Sequence, residues 1–183
     1  MTDGPPGEPT LGSVLELLWA AGRTEEPNEE IPGLTILHHG LQCAALLRGR
    51  DPHDPELQVA GLLHDIGHLL ASGPGEDHAA AGASYLRPVF GDRVATLVDD
   101  HVRAKRYLIT VDGGYRTQLS AGSSVTLALQ GDALSDDEAA EFRARPLAEA
   151  TLRLRRADES AKDPGARVPG LGTWLRTMER LVG

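Results

Sequence analysis

The sequence predicts an all-α fold, a bundle of helices, and three observations predict it. Apolar residues recur at helical spacing, as in Leu11, Val14, Leu15 and Leu18. Helix-start chemistry stands at Asp54-Pro55, where a capping carboxylate precedes a proline suited to a first turn, and at Ser135 with Glu138, a capping-box pair. Alternating β-branched runs are few, and the best of them, residues 107–111, makes at most a short extended piece.

In chain order, residues 1–10 carry three prolines and two glycines and read as a loose arm. A first helix is expected over residues 11–23, followed by an acidic, Pro-bearing loop over 24–33 and a second helix over 34–50. The third opens at Asp54-Pro55 and runs to about Ser72. After the loop Gly73-Pro74-Gly75, Asp77 caps a helix reaching Leu86, and another covers residues 92–106. Ser135 opens a later one, and two more fit residues 146–162 and 170–182. Residues 11–183 are expected to form a single domain, with Trp19 and Trp174 in its core and His53 on its surface. A chain of 183 residues can bury such a core without disulfides.

Composition narrows the function. A net charge of -9 disfavours a nucleic-acid partner, which draws its affinity from clustered Lys and Arg. No apolar run approaches a membrane span, and the first ten residues lack a signal peptide's pattern, so a cytoplasmic location is expected. Cys43 is the only cysteine, which excludes cysteine-rich metal sites and leaves seven histidines and the carboxylates for any metal chemistry.

Those residues form a pattern. His64, Asp65 and His68 interrupt an apolar run in the third helix, where burial without partners is costly. A lone His-Asp pair is a weak signal, since a core histidine beside a surface aspartate explains most such pairs. His39, His78, His101 and Asp158 add to it from four other helices. Imidazole and carboxylate together suit iron, manganese or zinc.

In this order the residues resemble the HD-domain superfamily, whose first His, His-Asp pair and distal Asp match His39, His64, Asp65 and Asp158. The pattern H-x-L-Q-x-A fits His39 better than its neighbour His38, which is expected behind the ligands or on the surface. His78 and His101 match the two extra histidines of the two-metal branch, in which the aspartate corresponding to Asp65 bridges the ions. The resemblance therefore implies an HD-domain helical bundle with catalytic residues Asp65, His64 and His101.

The stretch His101-Val102-Arg103-Ala104-Lys105-Arg106-Tyr107-Leu108 further resembles the motif of the organophosphonate-cleaving HD oxygenases, the PhnZ-like group. The likeness runs from about His39 to Lys162, and in that group the residues matching His68, Lys105, Ser123 and Arg155 grip the phosphonate. Spacing agrees: Lys105 lies one helical turn after His101 and Arg155 three residues before Asp158, so each can reach toward the metals. A cationic pair suits a phosphonate dianion. The resemblance implies a mixed-valent Fe(II)/Fe(III) pair that uses O2 to cleave the carbon-phosphorus bond of a 1-hydroxyalkylphosphonate, releasing phosphate and a carboxylic acid. It departs from the group at two positions ahead of His39. There, members acting on amino-substituted substrates carry a tyrosine and a glutamate, and this chain has Glu29 and Pro32. A smaller or differently substituted substrate follows. The main rival reading is a metal-dependent HD phosphohydrolase acting on a phosphate ester or nucleotide, and a non-catalytic ligand sensor is a third. Monomer and homodimer remain open.

Overall fold

A computed structural model describes residues 7–27, 31–71 and 77–182. Among them the fold is all-α, with a single antiparallel bridge between Glu25 and Thr35. The helices are α1 (Leu11–Ala21), α2 (Ile36–Arg50), α3 (Pro55–Leu63), α4 (His78–Val111), α5 (Ala121–Leu129), α6 (Asp136–Arg143), α7 (Ala148–Ser160) and α8 (Gly172–Leu181), with 3₁₀ turns at Ile66–Leu69 and Tyr115–Gln118. Six residues of the expected N-terminal arm, together with Glu29, Ser72 and the Gly73-Pro74-Gly75 loop, lie outside the described residues.

Side-chain caps set most of the starts. Asp54 accepts from the Leu57 amide at 3.1 Å, and Arg93 on α4 grips both Asp54 oxygens at 2.7 Å, tying the start of α3 to a neighbouring helix. Ser135 and Glu138 form the expected capping box, and Asp77 caps α4 through the amides of Ala79 and Ala80. Thr35 and Ser120 do the same for α2 and α5.

Two expectations about helix extent need correction. The third helix does not run to Ser72: it ends at Leu63, and Asp65 (φ -100°, ψ 6°) leads into the 3₁₀ turn. Close packing accounts for this, because the Gly67 backbone lies so near the first turn of α4 that a Cβ on it would fall 1.8 Å from the His78 carbonyl. Residues 107–111 are helical rather than extended, since Tyr107 packs on Phe142 at 4.9 Å and Thr110 Oγ1 donates to the Leu134 carbonyl, so tertiary contacts override β-propensity. The two helices expected on either side of residues 87–91 are present as the two halves of α4, which meet at Gly91, whose φ of 79° and ψ of 179° are not helical and favour a residue without Cβ. Sequence reasoning did not foresee α5, which is short and rich in weak helix formers such as Gly122, Ser123 and Ser124.

The main core joins Leu18 of α1, Leu47 of α2, Leu63 of α3, Leu97 of α4, Leu154 of α7 and Trp174 of α8. A second cluster around Ala104 and Phe142 fastens α6 to α4. Trp174 is buried as expected and His53 is exposed. Trp19 is not in the core: it is 71% exposed, because Val14, Leu18 and Ala21 take the inward face of α1 and leave Trp19 outside under the Arg23 guanidinium. No helix among the described residues is long and apolar enough to cross a membrane.

Candidate metal centre

Five segments, α2, the α3 end, the start and middle of α4, and α7, bring His39, His64, Asp65, His78, His101 and Asp158 to one place. Backbone carbonyls aim three of the imidazoles. His39 Nδ1 donates to Ala161 O at 2.9 Å, His64 Nδ1 to Gly61 O at 2.9 Å and His101 Nδ1 to Val98 O at 2.6 Å, so each Nε2 faces the cluster. His39 Nε2 and His64 Nε2 stand 3.2 Å apart, and His78 Nε2 and His101 Nε2 3.3 Å apart.

Asp65 lies between these two pairs. Its Oδ2 is 3.4 Å from His39 Nε2 and 3.0 Å from His64 Nε2, whereas its Oδ1 is 3.4 Å from His78 Nε2 and 3.6 Å from His101 Nε2. Asp158 Oδ1 completes the first group at 3.2 Å from His39 and 3.6 Å from His64. Ligand atoms about 2.1 Å from a shared cation are separated by roughly 3.0 to 3.4 Å in octahedral or tetrahedral geometry. The donor set therefore fits two cations sharing Asp65, and imidazole with carboxylate suits iron, manganese or zinc. Two sp² nitrogens facing each other at 3.2 Å repel unless a proton or cation lies between them.

Electrostatics agree. Burial opposes a charge on His39, yet hydrogen bonding to Asp158 and Asp65 holds it well above its ordinary pKa. His64 is pushed up to about 10 by the charges of Asp65 and Asp158, also against burial. Burial likewise opposes ionisation of Asp65 and Asp158, but His64 facing the first and Arg155 facing the second hold both carboxyls well below the usual range. On the other side, burial drives His101 down to about 3, so it is a neutral donor.

His68 does not share a helical face with His64, because the 3₁₀ turn intervenes. It stacks on His78 with ring centroids 3.9 Å apart, and burial lowers it to about 4. With Lys105, Ser123 and Arg155 it lines a cavity of about 880 Å³ above the cluster. Lys105 is 4% exposed and donates to Thr126 Oγ1 at 2.9 Å, while burial pulls it down to about 7. Ser123 Oγ accepts from Arg155 Nη2 at 3.2 Å and from Lys162 Nζ at 2.8 Å. Arg155 is more committed than its spacing suggested: its guanidinium holds Asp158 and Glu159 and donates to Tyr115 Oη at 2.8 Å.

Several site residues were not singled out beforehand. Lys162, four residues after Asp158, lines the same cavity, and the spacing argument applied to Lys105 would have found it. Glu159 ties Arg155 to Lys162, with Lys162 Nζ 3.4 Å from its Oε1. Glu26 is 7% exposed, groups with His39 and Asp65, and is raised to about 8 by burial and then by the Asp65 charge. Only tertiary structure reveals it, because the loop ahead of α2 folds back. Of the two positions matched to the family's tyrosine and glutamate, Pro32 is exposed and Glu29 lies outside the described residues. His38, as expected, stays outside the cluster: its Nε2 lies 3.1 Å from Ala166 O.

Comparison with known proteins points to one family. Residues 36–161 match the family model described as the HD domain. The chain is 37% identical over 184 residues to hydroxymethylphosphonate dioxygenase of Gimesia maris, an alignment that covers 95% of this chain and 88% of that protein. It is 32% identical over 157 residues to the glycine-betaine-forming 1-hydroxy-2-(trimethylamino)ethylphosphonate dioxygenase of Leisingera caerulea, covering 81% and 80% respectively.

Proposed function

This chain belongs to the HD domain family, and on that footing we propose that it is a cytoplasmic diiron oxygenase, one HD domain over residues 11–183, that cleaves the carbon-phosphorus bond of a small 1-hydroxyalkylphosphonate. The observation that carries the reading is Asp65, whose two oxygens face two separate imidazole pairs. His39, His64 and Asp158 would hold one ion and His78 and His101 the other, with one oxygen of Asp65 facing each group. When bound, the iron pair supplies the one-electron and dioxygen chemistry that no amino-acid side chain provides.

The residues around the ions bind and orient the substrate. Lys105, His68, Ser123 and Lys162 make a polar wall for the phosphonate oxygens, with the two lysines as its cations. Arg155 contributes to that wall and, by gripping Asp158, keeps one metal-facing carboxylate in position. The wall is buried, so its charge is poorly screened and selects a compact dianion over a neutral analogue. We favour hydroxymethylphosphonate as substrate. The relative from Gimesia maris is named for it, and Pro32 stands where amine-recognising members carry a glutamate. One hydroxymethylphosphonate and one O2 then give one phosphate and one formate, with both oxygen atoms entering the products.

Anaerobic and aerobic incubation of the iron-loaded protein with hydroxymethylphosphonate tests the proposal. Phosphate and formate in equal amounts, with matching O2 consumption, are expected in air and neither product without it. Phosphate release that persists without O2 would instead establish hydrolysis.

A further inference from the structure

The segment just before α2 is folded back on itself and onto the start of α2 by two backbone hydrogen bonds and one to a side chain. Glu26 N donates to Leu34 O at 2.8 Å, Ile36 N donates to Thr24 O at 3.0 Å, and Gly33 N donates to Glu25 Oε1 at 3.2 Å. This strap turns Glu25 outward and Glu26 inward, over the first turns of α2 that carry His39. The Glu26 side chain is buried, and its Oε2 has no hydrogen-bond partner among the described residues.

An unpartnered carboxylate oxygen removed from water is costly, and more so beside the Asp65 and Asp158 carboxylates. A ligand atom of Glu26 lies within 4.8 Å of one on His39 and one on Asp65, close enough for all three to meet a single cation. We propose that Glu26 is a further protein ligand of the ion held by His39, His64, Asp65 and Asp158. This rests on the two-metal reading above. A cation there satisfies Oε2 and offsets the crowding of three carboxylates. It also widens the difference between the two ions, because the one that already has Asp158 gains a second carboxylate that the other lacks.

Binding of Mn(II), redox-inert under these conditions and visible in solution by electron resonance, separates this role from turnover. Metal-stripped wild type, E26Q and E26D are titrated while free Mn(II) is followed, and far-UV circular dichroism checks that each variant keeps its helices. Wild type is expected to bind two ions per chain. In E26Q one of the two steps weakens by about tenfold or more, the other is unchanged, and E26D recovers part of the loss. Equal isotherms for wild type and E26Q would overturn the assignment, as would equal weakening of both steps. A wild type that binds a single ion, weakened in E26Q, would sink the two-metal reading while leaving Glu26 a ligand.

Discussion

Arg155 donates to the Asp158 carboxylate one turn along α7, both side chains are about 5% exposed, and Asp158 thereby turns its other oxygen toward His39 and His64. On the function proposed above, the guanidinium is therefore a positioning group for a metal-facing carboxylate as well as part of the anion wall. Removing one partner of a buried ion pair costs about 3–5 kcal/mol. Arg155→Ala is expected to lower stability by that order in urea unfolding of the metal-free protein and to weaken metal uptake. Arg155→Lys keeps the charge but cannot fork between Asp158 and Glu159. It should retain the fold and still lose iron on gel filtration; full iron content in this variant would show that Asp158 does not depend on the fork.

Lys105 is expected to behave differently, because its partner is Thr126 and not a metal-facing group. Lys105→Met should keep both ions and lower kcat/KM by about 10- to 100-fold, the cost of one charge-assisted hydrogen bond. Its low pKa, set first by burial and then by Arg155, adds a pH signature. The ammonium is charged below about 7 and neutral above it, so capture of an anionic substrate weakens as pH rises through that value. Lys105→Arg, which stays protonated, should move that limb of the kcat/KM profile to higher pH. Substrate ionisation is common to both proteins and cancels in the comparison. Coincident profiles would remove Lys105 from substrate capture.

What could be read beforehand and what could not divides along physical lines. The helices and their caps were legible because Asp54, Ser135 and Asp77 act within a few residues of themselves. His64 and Asp65 stood out because polar side chains in an apolar run need a reason to be there, whereas His39, His78, His101 and Asp158 were legible only through their resemblance to the HD-domain pattern, and the structure brings all six together. The break after Leu63 was hidden, since it depends on Gly67 meeting α4, a contact between separate segments. Glu26 was hidden for the same reason: residues 24–33 read as one acidic loop, and nothing local marks which carboxylate turns inward. Trp19 misled because size suggests burial, whereas the helical phase set by Leu18 places it outside.

Asp65 faces both imidazole pairs, so on the two-metal proposal its loss should uncouple the ions rather than remove them equally. Asp65→Ala is expected to reduce bound iron from two per chain toward one or none and to abolish any magnetic coupling between the ions. His78→Ala should leave the His39, His64 and Asp158 group occupied with one ion. Iron analysis with electron resonance checks both variants. A coupled pair persisting without the Asp65 carboxylate would require another bridge.

Gly67→Ala offers a test of how the second imidazole pair is placed. The added methyl would fall 1.8 Å from the His78 carbonyl, and neither partner is a flexible side-chain end that could move aside. The 3₁₀ turn must then back away from α4, at a cost of about 1–3 kcal/mol as for other overpacked sites. That movement separates Asp65 and His68 from His78 while leaving the α2 and α7 residues in place. The expected outcome is selective: weaker binding of the ion at His78 and His101, near-normal binding at His39, His64 and Asp158, and loss of turnover out of proportion to the loss of stability. Equal weakening at both sites would mean that Gly67 serves general packing and that the contact with α4 has no special part in joining the two halves of the centre.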